Sequence, residues 1–142
     1  MKATAGYSGT PLAKKLGIKP GMRICILHAP PAYPRVLGKL PRGVKIARRL
    51  GKPHALDFIQ FFTLRTKQLE GQFGALRTAL SYEGLLWISW PKKAARVETD
   101  IDENVVRNLG LAAGLVDVKV AAVDEVWSGL KFVYRLEDRP GR

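Results

Sequence analysis

Residues 116–136 read VDVKVAAVDEVWSGLKFVYRL, and this stretch decides the fold that the sequence predicts. Two apolar segments of strand length, 116–123 and 130–136, are joined by only six residues, 124–129. A parallel pair needs a crossover of about a dozen residues, so these two strands must be antiparallel. The second segment alternates apolar and polar residues, which is typical of a strand at an exposed edge of a sheet.

Upstream of this hairpin, strand and helix patterns alternate. Apolar runs predict four earlier strands, at about 23–28, 44–47, 56–62 and 85–90. Helices are predicted from Thr10-Pro11 to the stop at Gly17, over 66–81, and from 99 to the stop at Gly114. This alternation favours parallel strands joined by right-handed crossovers, with helices on both faces of the sheet.

The sequence therefore predicts a single α/β domain spanning 1–142, with a Rossmann-like, mostly parallel open sheet of about six strands and a C-terminal antiparallel hairpin. Residues 1–9 are expected to form a flexible or ligand-covering arm, and 137–142 a frayed tail. In the last helix, residues 99–103 (TDIDE) read as a capping box, and Val105, Leu109 and Ala112 as the inner stripe.

Charge is unevenly distributed along the 142 residues, whose net charge is +12. Residues 1–60 hold twelve Lys or Arg and a single acid, Asp57, a net charge of +11. Such a field favours anionic partners, namely phosphorylated small molecules, nucleic acid or an acidic protein. The alternative is a solvated basic surface that keeps the protein in solution.

Several classes of protein are disfavoured. The N-terminus lacks the apolar core of a signal peptide, and no apolar run approaches the length of a membrane span. The single cysteine, Cys25, lies in an apolar run and reads as a buried, reduced thiol. With two histidines and one cysteine, no metal constellation is expected. We therefore expect a cytoplasmic protein that makes no membrane contact.

Two resemblances bear on the fold. The order of elements from 56 to 136 resembles the class I methyltransferase version of the Rossmann-like architecture, in a shortened form. Residues 6–17 (GYSGTPLAKKLG), 90–93 (WPKK) and 123–131 (VDEVWSGLK) resemble a bacterial family of unknown function. These resemblances imply the fold and a bacterial cytoplasmic origin, and the second implies no activity.

Two features that S-adenosylmethionine sites of this architecture require do not occur. A glycine-rich turn should follow the first strand, but residues 28–34 read HAPPAYP, with no glycine and three prolines. An acid should end the second strand, where Arg48 and Arg49 stand instead. Transfer from S-adenosylmethionine is thus disfavoured, and no cofactor is predicted.

Candidate ligand-binding residues follow the carboxyl ends of the predicted strands, where open sheets of this kind bind ligands. They are His28, the turn at 63–65, Trp90 with Lys92 and Lys93, and Asp124 with Trp127 and Ser128. We expect them to converge on one rim.

Each candidate also has a structural interpretation. His28 reads as an acid, base or phosphate ligand, or as a histidine bonded to a nearby carbonyl. Lys92 and Lys93 read as an anion site beside tryptophans, or as solvated lysines. Asp124 reads as a catalytic carboxylate or as an ordinary turn residue.

A further candidate site lies at the first helix. Ser8, Thr10 and Lys14 would place hydroxyls and free amides at a positive helix end. The alternative is that Thr10 only caps the helix.

The leading functional hypothesis is a domain that binds an anionic, phosphorylated or nucleotide-like small molecule through Ser8, Thr10, Lys14, His28, Trp90, Lys92, Lys93 and Trp127. One alternative is a nucleic-acid-binding module that uses the basic N-terminal half. Another is an enzyme with His28 or Asp124 as its base. The last strand, if it lies at the edge, could pair with a second copy in a homodimer.

Overall fold

The computed structural model describes residues 10–141 and contains six strands and four α-helices in that range. Their order is α1 (Leu12–Leu16), β1 (Arg23–Leu27), α2 (Tyr33–Leu37), β2 (Lys45–Ala47), β3 (Leu56–Phe62), α3 (Thr66–Ala79), β4 (Leu80–Pro91), α4 (Glu103–Ala112), β5 (Leu115–Ala122) and β6 (Trp127–Tyr134). Within the described range, no helix combines the length and apolar character needed to cross a membrane.

The strands form one mixed sheet in the order β2-β1-β3-β4-β6-β5. The first four strands are mutually parallel, and β6 runs antiparallel to both β4 and β5. From β1 the chain moves outward to β2 and then returns past β1 to β3. The strand order thus reverses between β1 and β3, where open α/β sheets place their ligand crevice.

Apolar side chains cover both faces of the sheet, as predicted. On one face α3 and α4 pack through Leu69, Phe73 and Val106 against a core that includes Phe132. On the other face α1 and α2 pack through Leu16 and Leu37 against strand residues such as Phe58 and Trp87. Cys25 is a buried free thiol, and burial raises its pKa, which keeps it protonated.

The position of the last strand corrects the sequence prediction. We expected the final strand to be the exposed edge, but β6 lies between β4 and β5 and is hydrogen-bonded on both sides. Its alternation arises because Leu130, Phe132 and Tyr134 enter the core while Lys131 faces the other way. The two open edges of the sheet are β2 and β5, so β6 cannot pair edge to edge with a second copy. A homodimer through one of the two edge strands stays a prediction.

The start of α4 also differs from the prediction. Asp102 caps this helix by accepting a hydrogen bond from the Val105 amide at 2.9 Å, so Thr99 and Asp100 are not its cap. Val106 and Gly110 are the buried residues of α4. Of the predicted stripe, Leu109 packs half-buried against the core, whereas Ala112 is exposed. The helix lies so close to β6 that a Cβ on Gly110 would be 2.0 Å from the Phe132 ring.

Helix α1 begins without the predicted cap. Its first flanking residue is Pro11, no side chain caps it, and Thr10 is exposed. Its predicted stop is confirmed, since Gly17 has φ +99°, which a glycine adopts readily.

Ser8 and the proposed arm 1–9 lie outside the described residues. In the predicted tail, Arg139 donates to the Tyr134 carbonyl at 3.0 Å and to Glu83 at 3.1 Å.

Candidate functional site

A cleft of about 520 Å³ opens at the carboxyl ends of β1 and β3, at the point where the strand order reverses. Ligand pockets in proteins have volumes of roughly 300–1,000 Å³. The cleft is lined by His28, Pro30, Phe62, Thr63, Leu64, Arg65, Gln68 and Trp127. Four of the eight are apolar or aromatic and the other four carry polar groups, a combination that suits a ligand with a ring and a charged end.

Aromatic rings form one wall of the cleft. The rings of Phe62 and Trp127 meet edge to face, with centroids 5.0 Å apart. Tyr33 also packs edge to face on Phe62, with the ring centroids 4.8 Å apart. These contacts fix the half-buried Trp127 indole, whose remaining surface can stack on a planar ligand.

Three polar side chains line the opposite side and are joined by hydrogen bonds. The Thr63 hydroxyl donates to Gln68 Oε1 at 2.8 Å, which turns the Gln68 amide nitrogen toward His28. That nitrogen lies 3.5 Å from His28 Nδ1, which is the outer limit of a hydrogen bond. Thr63 and Gln68 therefore bring an amide group next to the His28 ring.

The backbone of His28 adopts a conformation that side chains rarely take. Its φ is +61°, in the left-handed region that favours glycine. Such residues cost of order 1–3 kcal/mol and are concentrated at functional sites. The chain thus turns sharply as it leaves β1 and presents an exposed imidazole at the cleft.

Arg65 supplies the positive charge at the rim. Its side chain is 52% exposed, and its guanidinium lies 3.9 Å from Glu98, which is itself 91% exposed. A single long ion pair between exposed groups contributes little to stability. Most of the guanidinium donors of Arg65 are accordingly available to an anionic ligand.

A second loop holds the turn that carries Arg65. Thr66 donates its backbone amide to Asp100 Oδ1 at 2.7 Å, and Thr99 donates its hydroxyl to the Leu64 carbonyl at 2.7 Å. The hydrogen bond from the Thr66 amide is the largest cause that lowers the pKa of Asp100. The residues predicted to cap α4 therefore fix the start of α3, which borders the cleft.

A buried polar network extends into the sheet below the cleft. The Tyr33 hydroxyl donates to Gln60 Oε1 at 2.5 Å, and Gln60 Nε2 donates to Ser89 Oγ at 3.0 Å. Gln60 and Ser89 are fully buried. Burial raises the pKa of Tyr33 well above its usual range, and the negative charge of Asp124 raises it further, so Tyr33 remains a neutral donor.

The remaining predicted site residues lie elsewhere. A groove of about 330 Å³ is lined by Trp90, Lys92, Lys93 and Ser128, together with Asp102, Glu103 and Asn104 from the start of α4. Trp90 is only 5% exposed and belongs to the core on the α3–α4 face. Register pairs Trp90 with Ser128 and Pro91 with Trp127, so the two tryptophans point to opposite faces.

Asp124 closes the connection between β5 and β6. Its Oδ1 accepts hydrogen bonds from the backbone amides of Val126 and Trp127, both at 2.8 Å. This is the ordinary geometry of an aspartate in a turn.

Thr10 and Lys14 are exposed, and neither is among the described residues that line the cleft.

The structure therefore brings together His28, the turn at 63–65 and Trp127, and separates them from Trp90, Lys92 and Lys93. Sequence reasoning missed Phe62 and Gln68. Phe62 was assigned to a strand and not to its open end. Gln68 lies in the first turn of α3, directly after the predicted site turn at 63–65. Its position three residues after Arg65 is a sequence signal that would have identified it. No group of His, Cys, Asp and Glu able to hold a metal ion occurs in the described range.

Comparison with solved structures identifies the fold. A SAM-dependent methyltransferase from Aquifex aeolicus superposes with a TM-score of 0.56 at 16% identity, over 84% of this chain and 85% of that one. The PH0226 protein from Pyrococcus horikoshii superposes with a TM-score of 0.61 at 9% identity, over 88% of this chain and 87% of that one. Magnesium protoporphyrin IX methyltransferase from Synechocystis, with bound SAH, gives 0.53 at 10% identity, over 87% and 78%. The chain has a methyltransferase-like fold.

These similarities concern the fold alone. No family model and no curated protein matches the sequence. The resemblance to a methyltransferase architecture is thus confirmed for the fold, whereas the bacterial family is not identified.

The residues at the equivalent site do not fit S-adenosylmethionine. Where the backbone should approach the cofactor, His28 occupies the left-handed position and Pro30 and Pro31 remove amide donors. Where an acid should accept the ribose hydroxyls, the end of β2 presents the exposed Arg48 and Arg49. The cleft must therefore be interpreted from its own residues.

Proposed function

We propose that this protein binds an anionic small molecule with a planar ring, such as a phosphorylated or nucleotide-like compound, in the cleft between β1 and β3. The observation that supports this proposal is the pairing of an aromatic wall, Phe62 with Trp127, and the weakly paired Arg65 in one cleft. The protein acts as a binding domain, for example a sensor or regulator.

Each part of the cleft has a distinct task in this proposal. Trp127 stacks on the ring, because its position is fixed by contact with Phe62. Arg65 pairs with the phosphate or carboxylate, since a guanidinium fork matches two oxygens at once. His28, which lies beside Gln68, offers its imidazole to the ligand as a hydrogen-bonding group.

The charge of the whole chain supports an anionic ligand. The net charge of +12 attracts anions over a distance of about one Debye length, roughly 8 Å at physiological salt. Lys92 and Lys93 contribute to this field, although they face carboxylates in their own groove.

A thermal-shift screen of nucleotides and sugar phosphates, followed by calorimetry on any hit, tests the proposal. Arg65→Ala and Trp127→Ala should each raise Kd about tenfold, which corresponds to about 1.4 kcal/mol. Arg42→Ala is the matched control, because Arg42 is exposed and precedes β2 at the opposite end of the sheet. Unchanged affinity in both cleft variants would show that the ligand binds elsewhere.

A second candidate function is nucleic-acid binding through the β2 edge. Lys45, Arg48 and Arg49 are exposed there, and none of them forms a salt bridge with the described residues. Neutralising several phosphates would make the affinity fall steeply with salt. Fluorescence anisotropy with labelled single and double strands at two salt concentrations tests this, and a salt-independent or undetectable signal rejects it.

Catalysis is a third possibility, in which His28 is the base. We favour His28 over Asp124, whose Oδ1 already accepts two backbone hydrogen bonds. Membership of the bacterial family of unknown function, and with it a bacterial cytoplasmic origin, likewise stays a prediction.

A further inference from the structure

The side chains of the cleft between β1 and β3 leave few hydrogen-bond acceptors free for a ligand. None of the described residues that line it is an Asp or a Glu. Its side-chain acceptors are the hydroxyl of Thr63, the amide oxygen of Gln68 and the imidazole of His28. Thr63 is 2% exposed and its hydroxyl donates to Gln68 Oε1 at 2.8 Å, so these two groups are already engaged with each other. His28 remains, and an imidazole can donate as well as accept.

Backbone carbonyls around the cleft are engaged as well. The Leu64 carbonyl accepts from the Thr99 hydroxyl at 2.7 Å. The Trp127 carbonyl accepts from the Val123 amide at 2.9 Å, and the Pro30 carbonyl accepts another backbone amide at 2.9 Å. A ligand hydroxyl or amino group that points at these walls finds little to donate to. Because an unpaired donor in a bound ligand costs affinity, ribosides and other donor-rich compounds are disfavoured.

Free donors, in contrast, are present where α3 begins. Arg65 has only N–H donors in its guanidinium, and its side chain is 52% exposed. The Gln68 amide nitrogen lies 3.5 Å from His28 Nδ1, the outer limit of a hydrogen bond, so it can donate to a ligand instead. The cleft therefore suits a ligand that presents oxygen acceptors.

The charges around Arg65 suit a ligand with one negative charge better than a ligand with two. Arg65 is the single Lys or Arg among the described residues that line the cleft. Two carboxylates lie near it, Glu98 at 3.9 Å from its guanidinium and Asp100, which accepts from the Thr66 amide at 2.7 Å. A phosphate monoester carries about two negative charges at neutral pH, and these acids would repel it. A carboxylate carries one charge, and its two oxygens match the guanidinium fork.

We infer that the ligand of the cleft is a planar aromatic or heteroaromatic monocarboxylate with few or no hydrogen-bond donors. Its ring stacks on Trp127, its carboxylate pairs with Arg65, and any further oxygen on the ring accepts from Gln68. This inference rests on the proposed function and narrows it, because it excludes the ribose-bearing and phosphorylated members of that ligand class.

Four probes separate the contributions of ring, charge and donors: naphthoate, the neutral naphthamide, naphthyl phosphate and AMP. In calorimetry, the wild type should bind naphthoate at least about tenfold more tightly than each of the others, because only naphthoate combines a flat ring with one charge and no donor. Arg65→Gln should abolish the preference for naphthoate over naphthamide. Arg42→Ala, an exposed change at the opposite end of the sheet, should retain it.

Gln68→Glu tests the balance of donors and acceptors directly. Gln68 is exposed in the first turn of α3, where a negative charge is favourable, so the variant should fold. It replaces a donor in the cleft by a carboxylate, so Kd for naphthoate should rise about tenfold while Kd for adenosine, a neutral riboside, should fall. Gln72→Glu, the same change one turn further along α3 and outside the cleft, should change neither affinity by more than about twofold. Affinities for naphthoate and adenosine that move in the same direction in Gln68→Glu, or do not move, contradict the inference.

The outcomes distinguish this inference from the proposed function. If AMP or naphthyl phosphate binds more tightly than naphthoate and loses affinity in both Arg65→Gln and Trp127→Ala, the inference is wrong and the proposed function stands. If no anionic probe binds the wild type, or if binding is unaffected by both substitutions, the inference and the proposed function both fail.

Discussion

The β1–β3 cleft and the groove between β4 and α4 both lie at the carboxyl ends of the parallel strands. They differ in the acidic residues that surround their basic side chains. In the cleft, Arg65 lies beside aromatic and neutral polar side chains. Its acidic neighbours are the largely exposed Glu98, at 3.9 Å, and Asp100, whose carboxylate accepts from the Thr66 amide. In the groove, Lys92 and Lys93 share their lining with Asp102 and Glu103.

From this difference we expect that a pair of lysines after a strand does not by itself make an anion site. Carboxylates at the start of a helix are favourable there, and they also neutralise nearby ammonium groups. A cation stays available to a ligand when the acids around it are exposed or engaged elsewhere and leave its donors free. The four predictions below test whether the two regions are as distinct as this contrast suggests.

The largest effect is expected at the helix that borders the groove. Gly110→Ala places a methyl group where the Phe132 ring lies 2.0 Å away, so α4 or the ring must move. We expect a loss of about 3 kcal/mol in the free energy of unfolding, because overpacking outweighs the better helix propensity of alanine. Urea denaturation measures it.

The matched control is Gly74→Ala in α3, where a Cβ meets nothing within 4 Å. It should be neutral or stabilising. A variant Gly110→Ala as stable as the wild type would mean that α4 is not closely packed on β6.

The next effect concerns the polar network below the cleft. Gln60→Leu replaces the buried amide by an apolar side chain of similar size and leaves the buried hydroxyls of Tyr33 and Ser89 without their partner. We expect a loss of about 2 kcal/mol in the free energy of unfolding.

The triple variant with Tyr33→Phe and Ser89→Ala removes all polar members and should recover much of that loss. No recovery would show that the cost of Gln60→Leu comes from packing and not from unpaired polar groups.

A smaller effect is expected on ligand affinity when the groove lysines, and not the cleft arginine, are removed. The double variant Lys92→Ala, Lys93→Ala should change the affinity of a ligand that binds the cleft by no more than about twofold, against about tenfold for Arg65→Ala. Titration calorimetry of the three proteins with one ligand measures both. If the double variant loses as much affinity as Arg65→Ala, the groove and the cleft form one site.

The smallest effect is a change in pH dependence at the loop that links the two regions. The pKa of Asp100 is lowered from 3.8, chiefly by the Thr66 amide, so the folded state favours the carboxylate. Its contribution to stability is complete above the unfolded value and is lost as pH falls through the folded value. Asp100→Asn should lower Tm at neutral pH and approach the wild type in acid.

Asp138→Asn, at an exposed site in the C-terminal segment, provides the reference for this measurement. A difference between Asp100→Asn and wild type that does not shrink in acid would mean that the carboxylate charge is not what holds the turn.

Much of the fold could be predicted because it depends on local pattern. The predicted strand 56–62 has the bounds of β3, and the helix over 66–81 ends two residues early at Ala79. The short connection required an antiparallel hairpin whatever the rest of the chain did. The candidate site was harder, since His28 and Trp127 are 99 positions apart in sequence and meet only through the strand order.

The sequence by itself determined the six strands and three of the four helices, but not α2. It also determined the mixed sheet with its antiparallel C-terminal hairpin, the surplus of positive charge and the mismatch with S-adenosylmethionine. These follow from local periodicity, connection length and residue type, which need no knowledge of distant contacts. Only the tertiary structure decided that β6 is inserted between β4 and β5, that Trp90 and Trp127 face opposite sides, and which cations have an acidic neighbour. These depend on which strands pair and on which face each side chain lies, and such long-range choices are set by packing of the whole sheet.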